Sequence, residues 1–290
     1  MSSESLRWCE ISDLGEPERF ECLSEALTEA GVKNSFSLIQ VSAENFESTL
    51  HQAQADFEQI RIGGTLREVL PRLMTRLPSS MISLRSADAF VRGESSVGVE
   101  WWPRNFLAEG LTTAIANDLK QIDFTGFVFI LGARAETRAV VSSLVRVGFT
   151  RFNLTDPNED RCKVMIDEFR RSYFNVQFHF VPRTMITQLP SVHSIAINFL
   201  QEDESEGMIQ ELAYFNFLRS GGVWLDFPLV TGNPALDAEA SSLEAVLLSS
   251  ARVLAHTDRL WALASLGARI EVELLENRLS LRRKSAALSR

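Results

Sequence analysis

Cysteine is scarce in this sequence: Cys9, Cys22 and Cys162 are the only three, and they stand far apart in 290 residues. That number and spacing fit neither a disulfide framework nor a zinc site. The four histidines (His51, His179, His193, His256) are equally dispersed, with no His-x-x-x-His or Cys-x-x-Cys pair to hold a metal. Long apolar runs are missing too. No stretch reaches the ~18 residues of a membrane span, and the opening MSSESLRWCE lacks the basic-then-apolar order of a signal peptide. Basic residues are outnumbered, 29 Lys and Arg against 38 Asp and Glu, for a formal charge of −9. A general nucleic-acid binder needs the opposite balance to displace phosphate counterions. No Gly-x-Ser-x-Gly elbow and no P-loop occurs. What is present, 45% apolar and 23% charged residues over the length of one large or two ordinary domains, predicts a soluble, cytoplasmic protein with a substantial core.

The first third alternates helical and strand patterns. PERFECLSEALTEAGV places Phe20, Leu23, Leu27 and Val32 at helical spacing and closes at Gly31. SFSLIQV reads as a strand, AENFESTLHQAQA as a helix capped by Ser42, QIRIGG as a short strand, and TLREVLPRLMTRL as a helix kinked or restarted at Pro71. In the middle, Phe127–Leu131, a glycine turn, a helix over 136–147 and a strand over 151–154 form a βαβ unit. VQFHFV, HSIAINFL and GGVWLDFPL are further strand candidates, with the acidic QEDESEG between the last two as a surface loop. From Ala240 the chain turns helical; IEVELLENRLSLRRK fits a strand by Ile270, Val272 and Leu274, or a helix by Leu275 and Leu279. The expected fold class is α/β with two domains. One is a Rossmann-like domain over 107–237. The other is an α/β domain over 1–106 on which 238–265 packs back, followed by a basic extension over 266–290.

The strand–glycine–helix segment LGARAETRAVV is where a dinucleotide would dock, although Gly132 is the only glycine there. In the order LGARAETRAVVSSLVRVGFTRFNLTD, IAINFL, GGVWLDFPLVTGNPAL, this region resembles shikimate dehydrogenases. Those read LGAGGAARAVV with a later NRT, then INATPxGM, then VxDxVYxPxxTPLL. Ile197-Asn198 stand for the start of INATP, Gly207-Met208 for its end, and Asp226-Phe227-Pro228 through Leu236 for the last motif. Upstream, SADAFVRGESSVGVEWWPRNFLAEGL is similar to the family's GAVNT to NTDG region. The likeness runs from about Leu6 to Trp261. It implies a substrate-type first domain and an NAD(P)-binding second one.

The same resemblance implies that the chemistry is gone. The family's acid/base lysine falls on Arg67, and a guanidinium does not exchange protons near neutrality. Its aspartate falls on Trp102. The serine segment that holds the substrate carboxylate falls on Asp13-Leu14-Gly15-Glu16-Pro17, where Glu16 would repel an anion; the two motif asparagines become glycine and Glu100. In the cofactor loop the second and third glycines are Arg134 and Ala135, so Arg134 either blocks a pyrophosphate or swings out to hold a phosphate. Asn153 and Thr155 match NRT, but its arginine is Leu154, and Asp156 would disfavour a 2′-phosphate.

The residues left to the cofactor are therefore Gly132, Arg134, Asn153, Thr155 and Asp156. No cofactor is expected, or NAD rather than NADP if one binds; no metal is expected. The adjacent Trp101 and Trp102, placed in a loop, either anchor a partner or fill the emptied cleft. The last thirteen residues carry five basic groups and no acid. Arg282, Arg283 and Lys284 are thus either a solvated helix end or a docking segment. The functional expectation is a pseudoenzyme that acts by binding an unidentified protein or small ligand, with a homodimer as one form. The alternative is a divergent NAD(P)-dependent oxidoreductase on another substrate, with Asp88 or Glu100 moving the proton.

Overall fold

The structure, a computed structural model, describes residues 5–14, 17–74, 77–95, 98–119, 122–200, 209–212, 215–227 and 234–288. Glu16, the acidic insertion with Gly207-Met208, and Pro228 with the five residues after it lie outside the described residues. The chain divides into two compact units, Met1–Thr113 with Ala251–Arg290, and Ala114–Ser250.

The first unit is built on a five-stranded sheet: β1 (Leu6–Ser12), β2 (Asn34–Gln40), β3 (Gln59–Ile62), β4 (Ala89–Ser95) and β5 (Gly98–Arg104), in the order β2-β1-β3-β4-β5. β1 runs parallel to β2 and β3, whereas β4 is antiparallel to β3 and to β5. The expected strands β2 and β3 are present, but β1 has no counterpart in the sequence pattern. It sits between two neighbours, and Trp8, Cys9, Glu10 and Ile11 are all buried. Burial on both faces erases the alternation that marks a strand. The β4–β5 hairpin corrects a second expectation: Trp101 and Trp102 lie on a strand, not in a loop. Gly93, Gly98 and Pro103 disguise it, and proline is tolerated because β5 is an edge strand.

Helices α1 (Pro17–Glu29), α2 (Phe46–Asp56), α3 (Leu66–Leu73), α4 (Ser79–Leu84) and α5 (Phe106–Asp118) complete this part. After α1 the chain turns through Gly31 at φ +82°, a left-handed conformation that favours glycine. The cap position of α2 is Asn45 rather than Ser42, whose carbonyl accepts the Asn45 N–H at 3.1 Å. Pro71 sits inside α3 without ending it.

The second unit carries six parallel strands: β6 (Phe127–Leu131), β7 (Arg151–Thr155), β8 (Gln177–Phe180), β9 (His193–Asn198), β10 (Leu218–Asp226) and β11 (Val246–Leu247). Their order is β11-β10-β9-β6-β7-β8. The chain moves outward from β6 on one side, then returns to lay β9 on the other. That reversal makes a topological switch point between β6 and β9, the usual ligand crevice of a doubly wound fold. The connecting helices are α6 (Ala135–Val147), α7 (Glu159–Ser172), α8 (Ile209–Leu212) and α9 (Pro234–Ser242), with a 3-10 turn at Arg183–Gln188. Helix α7 was not among the expected elements, because its charged EDRCKVMIDEFRRS conceals the buried stripe of Cys162, Met165, Ile166 and Phe169. Residues 238–250 lie in this unit, where Val246 and Leu247 pair with Val223 and Trp224 of β10.

The last helices, α10 (Ser250–Leu266) and α11 (Val272–Leu288), belong to the first unit from Ala251 onward. The ambiguous segment after Ile270 is thus a helix. Val272, Leu275 and Leu279 are buried at helical spacing, and α11 packs on α1. Trp261 of α10 enters the core 5.1 Å from the Trp8 ring.

Candidate functional site

In the second unit, the loop after β6 is tied down by the chain itself. Gly132 stands at φ +104° and donates its N–H to the Thr155 carbonyl at 2.8 Å. The Ala133 N–H donates to Asp156 Oδ2 at 2.6 Å. Arg134 occupies the cap of α6, its N–H donating to Thr137 Oγ1 while the Thr137 hydroxyl donates to the Gly132 carbonyl. Asp156, a cofactor-loop candidate expected to disfavour a 2′-phosphate, is fully buried. It also accepts from the Asn158 N–H at 2.7 Å and from Arg161 at 2.8 and 2.9 Å. It is a brace between two loops.

Asn153 and Thr155 are directed inward as well. The Asn153 amide lies 2.9 Å from His193 Nε2, and His193 Nδ1 lies 2.9 Å from the Phe217 carbonyl. A carbonyl can only accept, so Nδ1 carries the proton and Nε2 accepts from Asn153. Thr155 is buried and contributes its carbonyl to Gly132. Of the five cofactor candidates, Gly132, Arg134 and Asp156 meet at the loop, while Asn153 serves the interior of the sheet.

His193 is fully buried, and its burial lowers the ring's pKa below the ordinary histidine value. The neutral ring is built in, so protonation favours the unfolded chain. Stability is complete above the unfolded pKa of about 6.5 and falls below it, by at most about 1.4 kcal/mol per pH unit, until the folded group also titrates. Urea titrations between pH 8 and 5 should show this decline in the wild type and a flatter profile in His193→Gln. Equal slopes would remove His193 from the account.

Sequence reasoning missed the residues beyond β9. Phe199 and Leu200 stand where the family resemblance has the small Ala-Thr of INATP, and both are buried. A side chain added at Gly132 would lie 3.1 Å from Phe199 Cβ and 3.4 Å from Leu200 Cδ2. The Phe199 ring packs 5.5 Å from that of Phe227, beyond the end of β10. The signal was legible as INFL in place of INAT.

In the first unit, Arg67 is buried on α3, and its Nε donates to the Ile62 carbonyl at 3.1 Å. Asp13 accepts the Thr65 N–H at 3.0 Å and the Thr65 hydroxyl, so a carboxylate of the chain lies at the start of α3. Asp88, a candidate proton carrier, caps α5: its two oxygens accept the Phe106 and Leu107 N–H groups at 2.7 and 2.8 Å. Glu100 sits on β5 opposite Gly93, away from the α5 cap that Asp88 provides. Behind them a buried triad joins three elements. Asp258 of α10 receives Arg19 of α1 at 2.7 and 3.1 Å and Arg61 of β3 at 3.2 Å. Burial pulls the Arg61 pKa down, and Asp258 pushes it back up.

The thiols supply no nucleophile, since burial pushes Cys9 and Cys162 up to about 12. Among the described residues no group of three His, Cys, Asp or Glu could hold a metal ion, and no helix is long and apolar enough to cross a membrane.

The partner candidates divide. Trp101 packs edge-on against Phe90, with 6.3 Å between ring centroids, whereas Trp102 is 46% exposed. Arg282 is paired with Glu21 and Glu25 of α1, beside Arg278, which pairs with Glu25 and Glu29. It reinforces the α1–α11 contact of its own unit. Arg283 and Lys284 lie on α11, their side chains outside the described residues.

No protein-family model and no curated protein matches the sequence. Solved structures do match the fold. Shikimate dehydrogenase of Aquifex aeolicus is 14% identical, with 96% of this chain and 99% of that one covered at a TM-score of 0.75. The Thermus thermophilus enzyme in complex with shikimate is 15% identical over 96% and 99%, at 0.73. The 5-ketofructose reductase of a Gluconobacter strain is 14% identical over 97% and 100%, at 0.75. This chain has the two-domain α/β fold of the shikimate dehydrogenases, with a Rossmann-type parallel sheet in its second unit.

Proposed function

We propose that this protein acts by binding, as a regulator, scaffold or ligand sensor, and not by hydride transfer. The observation that carries the reading is Arg67. At the position the resemblance gives to the acid/base lysine stands a buried guanidinium whose Nε is committed to the Ile62 carbonyl. A guanidinium keeps its proton near neutrality and has none to exchange. Trp102 at the aspartate position has no acid group, and Asp88 is engaged at the N-terminus of α5. Asp13 adds a carboxylate in the segment that would hold a substrate carboxylate. Purified protein given shikimate with NADP or NAD should reduce neither cofactor above the enzyme-free rate, in an assay where a shikimate dehydrogenase does. Turnover at an enzyme-like rate would remove the proposal.

One finding favours a second reading, a divergent oxidoreductase: the same fold serves a 5-ketofructose reductase. A neutral polyol or keto-sugar would avoid the repulsion that Asp13 offers to a carboxylate. Oxidation of NADPH or NADH in the presence of 5-ketofructose is the observation that would establish it.

A further inference from the structure

We infer that the dinucleotide crevice of the second unit is plugged by the protein's own side chains, an inference that rests on the binding-only reading above. In a doubly wound sheet the cofactor docks beyond the carboxyl ends of the strands at the switch point. Here that point lies between β6 and β9. Gly132 ends β6 with φ +104°, a conformation that favours glycine and makes the tight turn from strand to helix, and the next glycine of such a loop, which lets a pyrophosphate approach the backbone, is Arg134 here. In this protein a Cβ added at Gly132 would lie 3.1 Å from Phe199 Cβ, closer than ordinary contact, and 3.4 Å from Leu200 Cδ2, so the chain after β9 closes over the glycine. The absent side chain makes room for protein, not for ligand.

The plug is held in place. The Phe199 N–H donates to the Leu131 carbonyl at 2.7 Å, continuing the ladder past β9. Asn198 Oδ1 accepts the Leu200 N–H at 3.0 Å, while its amide donates to Asp226 Oδ1 at 2.8 Å. These bonds fix the turn that carries both side chains, and Phe227 packs on it from the end of β10. The electrostatics agree with the sterics. The Ala133 N–H, which would face a phosphate, is spent on the buried Asp156 carboxylate, and Arg134 replaces a glycine at the cap of α6. The residues present do not fit a dinucleotide.

The test compares the full-length wild type with Phe199→Ala/Leu200→Thr and with the same pair carrying Arg134→Gly. Each is titrated with NADH and NADPH by nicotinamide fluorescence, and each is melted to verify cooperative unfolding. The wild type should show no saturable binding up to about 1 mM, and the opened variants should bind at least roughly tenfold tighter. Saturation of the wild type below that concentration would overturn the plug, as would folded variants that bind no better. If the pair does not fold, Leu200→Ala alone carries the comparison. Wild-type binding without turnover of shikimate would remove the plug and leave the binding-only reading intact. Turnover by the wild type would remove that reading.

Discussion

Asp258→Asn should destabilise the first unit by about 3–5 kcal/mol, the cost of leaving a buried ion pair with one partner. Asp258 is bonded to both Arg19 and Arg61, and all three side chains are at most 6% exposed. Asparagine keeps the shape and one acceptor but leaves two guanidinium charges facing each other in a site that water does not reach. Arg19→Met is the informative control. It removes one cation, leaves the Arg61–Asp258 pair, and should cost clearly less. Because two units do not unfold as one transition, the measurement needs a local probe. Trp224 is the single tryptophan of the second unit, so in a Trp224→Phe background the emission reports the first unit alone. A loss below about 1 kcal/mol in urea titrations would mean that the triad is not desolvated.

Asp156→Ala should cost the second unit about 3 kcal/mol, on the scale of hydrogen bonds to a charged group. The carboxylate is buried and accepts from Ala133, Asn158 and Arg161 at 2.6 to 2.9 Å. Arg161 is about a third exposed, so its ionic part is screened. The loss comes mainly from two backbone N–H groups left without an acceptor. Hydrogen exchange at Ala133 and Asn158 should accelerate with the loss of stability, and Asp156→Asn should fall between variant and wild type. Unchanged exchange at both amides would show that Asp156 does not brace the loops.

Both carboxylates had other readings in the sequence or none. Asp156 looked like a cofactor selector because it follows β7, and Asp258 drew no notice within a helix. A sequence shows that an aspartate ends a strand; it does not show which N–H groups arrive around it. Arg19, Arg61 and Asp258 are up to 239 residues apart and become neighbours only when α1, β3 and α10 pack. The same limit explains Arg282. Its charge was visible, but its pairing with Glu21 and Glu25 required α11 to lie along α1.

The periodic elements were legible because their residues meet one packed face. The β6–α6–β7 unit matches the expected boundaries to within one residue, since an apolar strand, a turn glycine and an amphipathic helix are local patterns. β1 and α7 were not legible, one buried on both faces and the other dominated by charge. The order of motifs carried the family resemblance.

By itself, then, the sequence determined the α/β class and the Rossmann-type second unit, because residue identity and local period suffice for these. Tertiary structure alone decided that Asp88 caps α5 and Asp156 joins two loops, that the segment after Ile270 is helical, and that Phe199 and Leu200 lie beside Gly132. Each of those depends on which distant backbone or side chain occupies the adjoining space, and no local pattern in the chain encodes that.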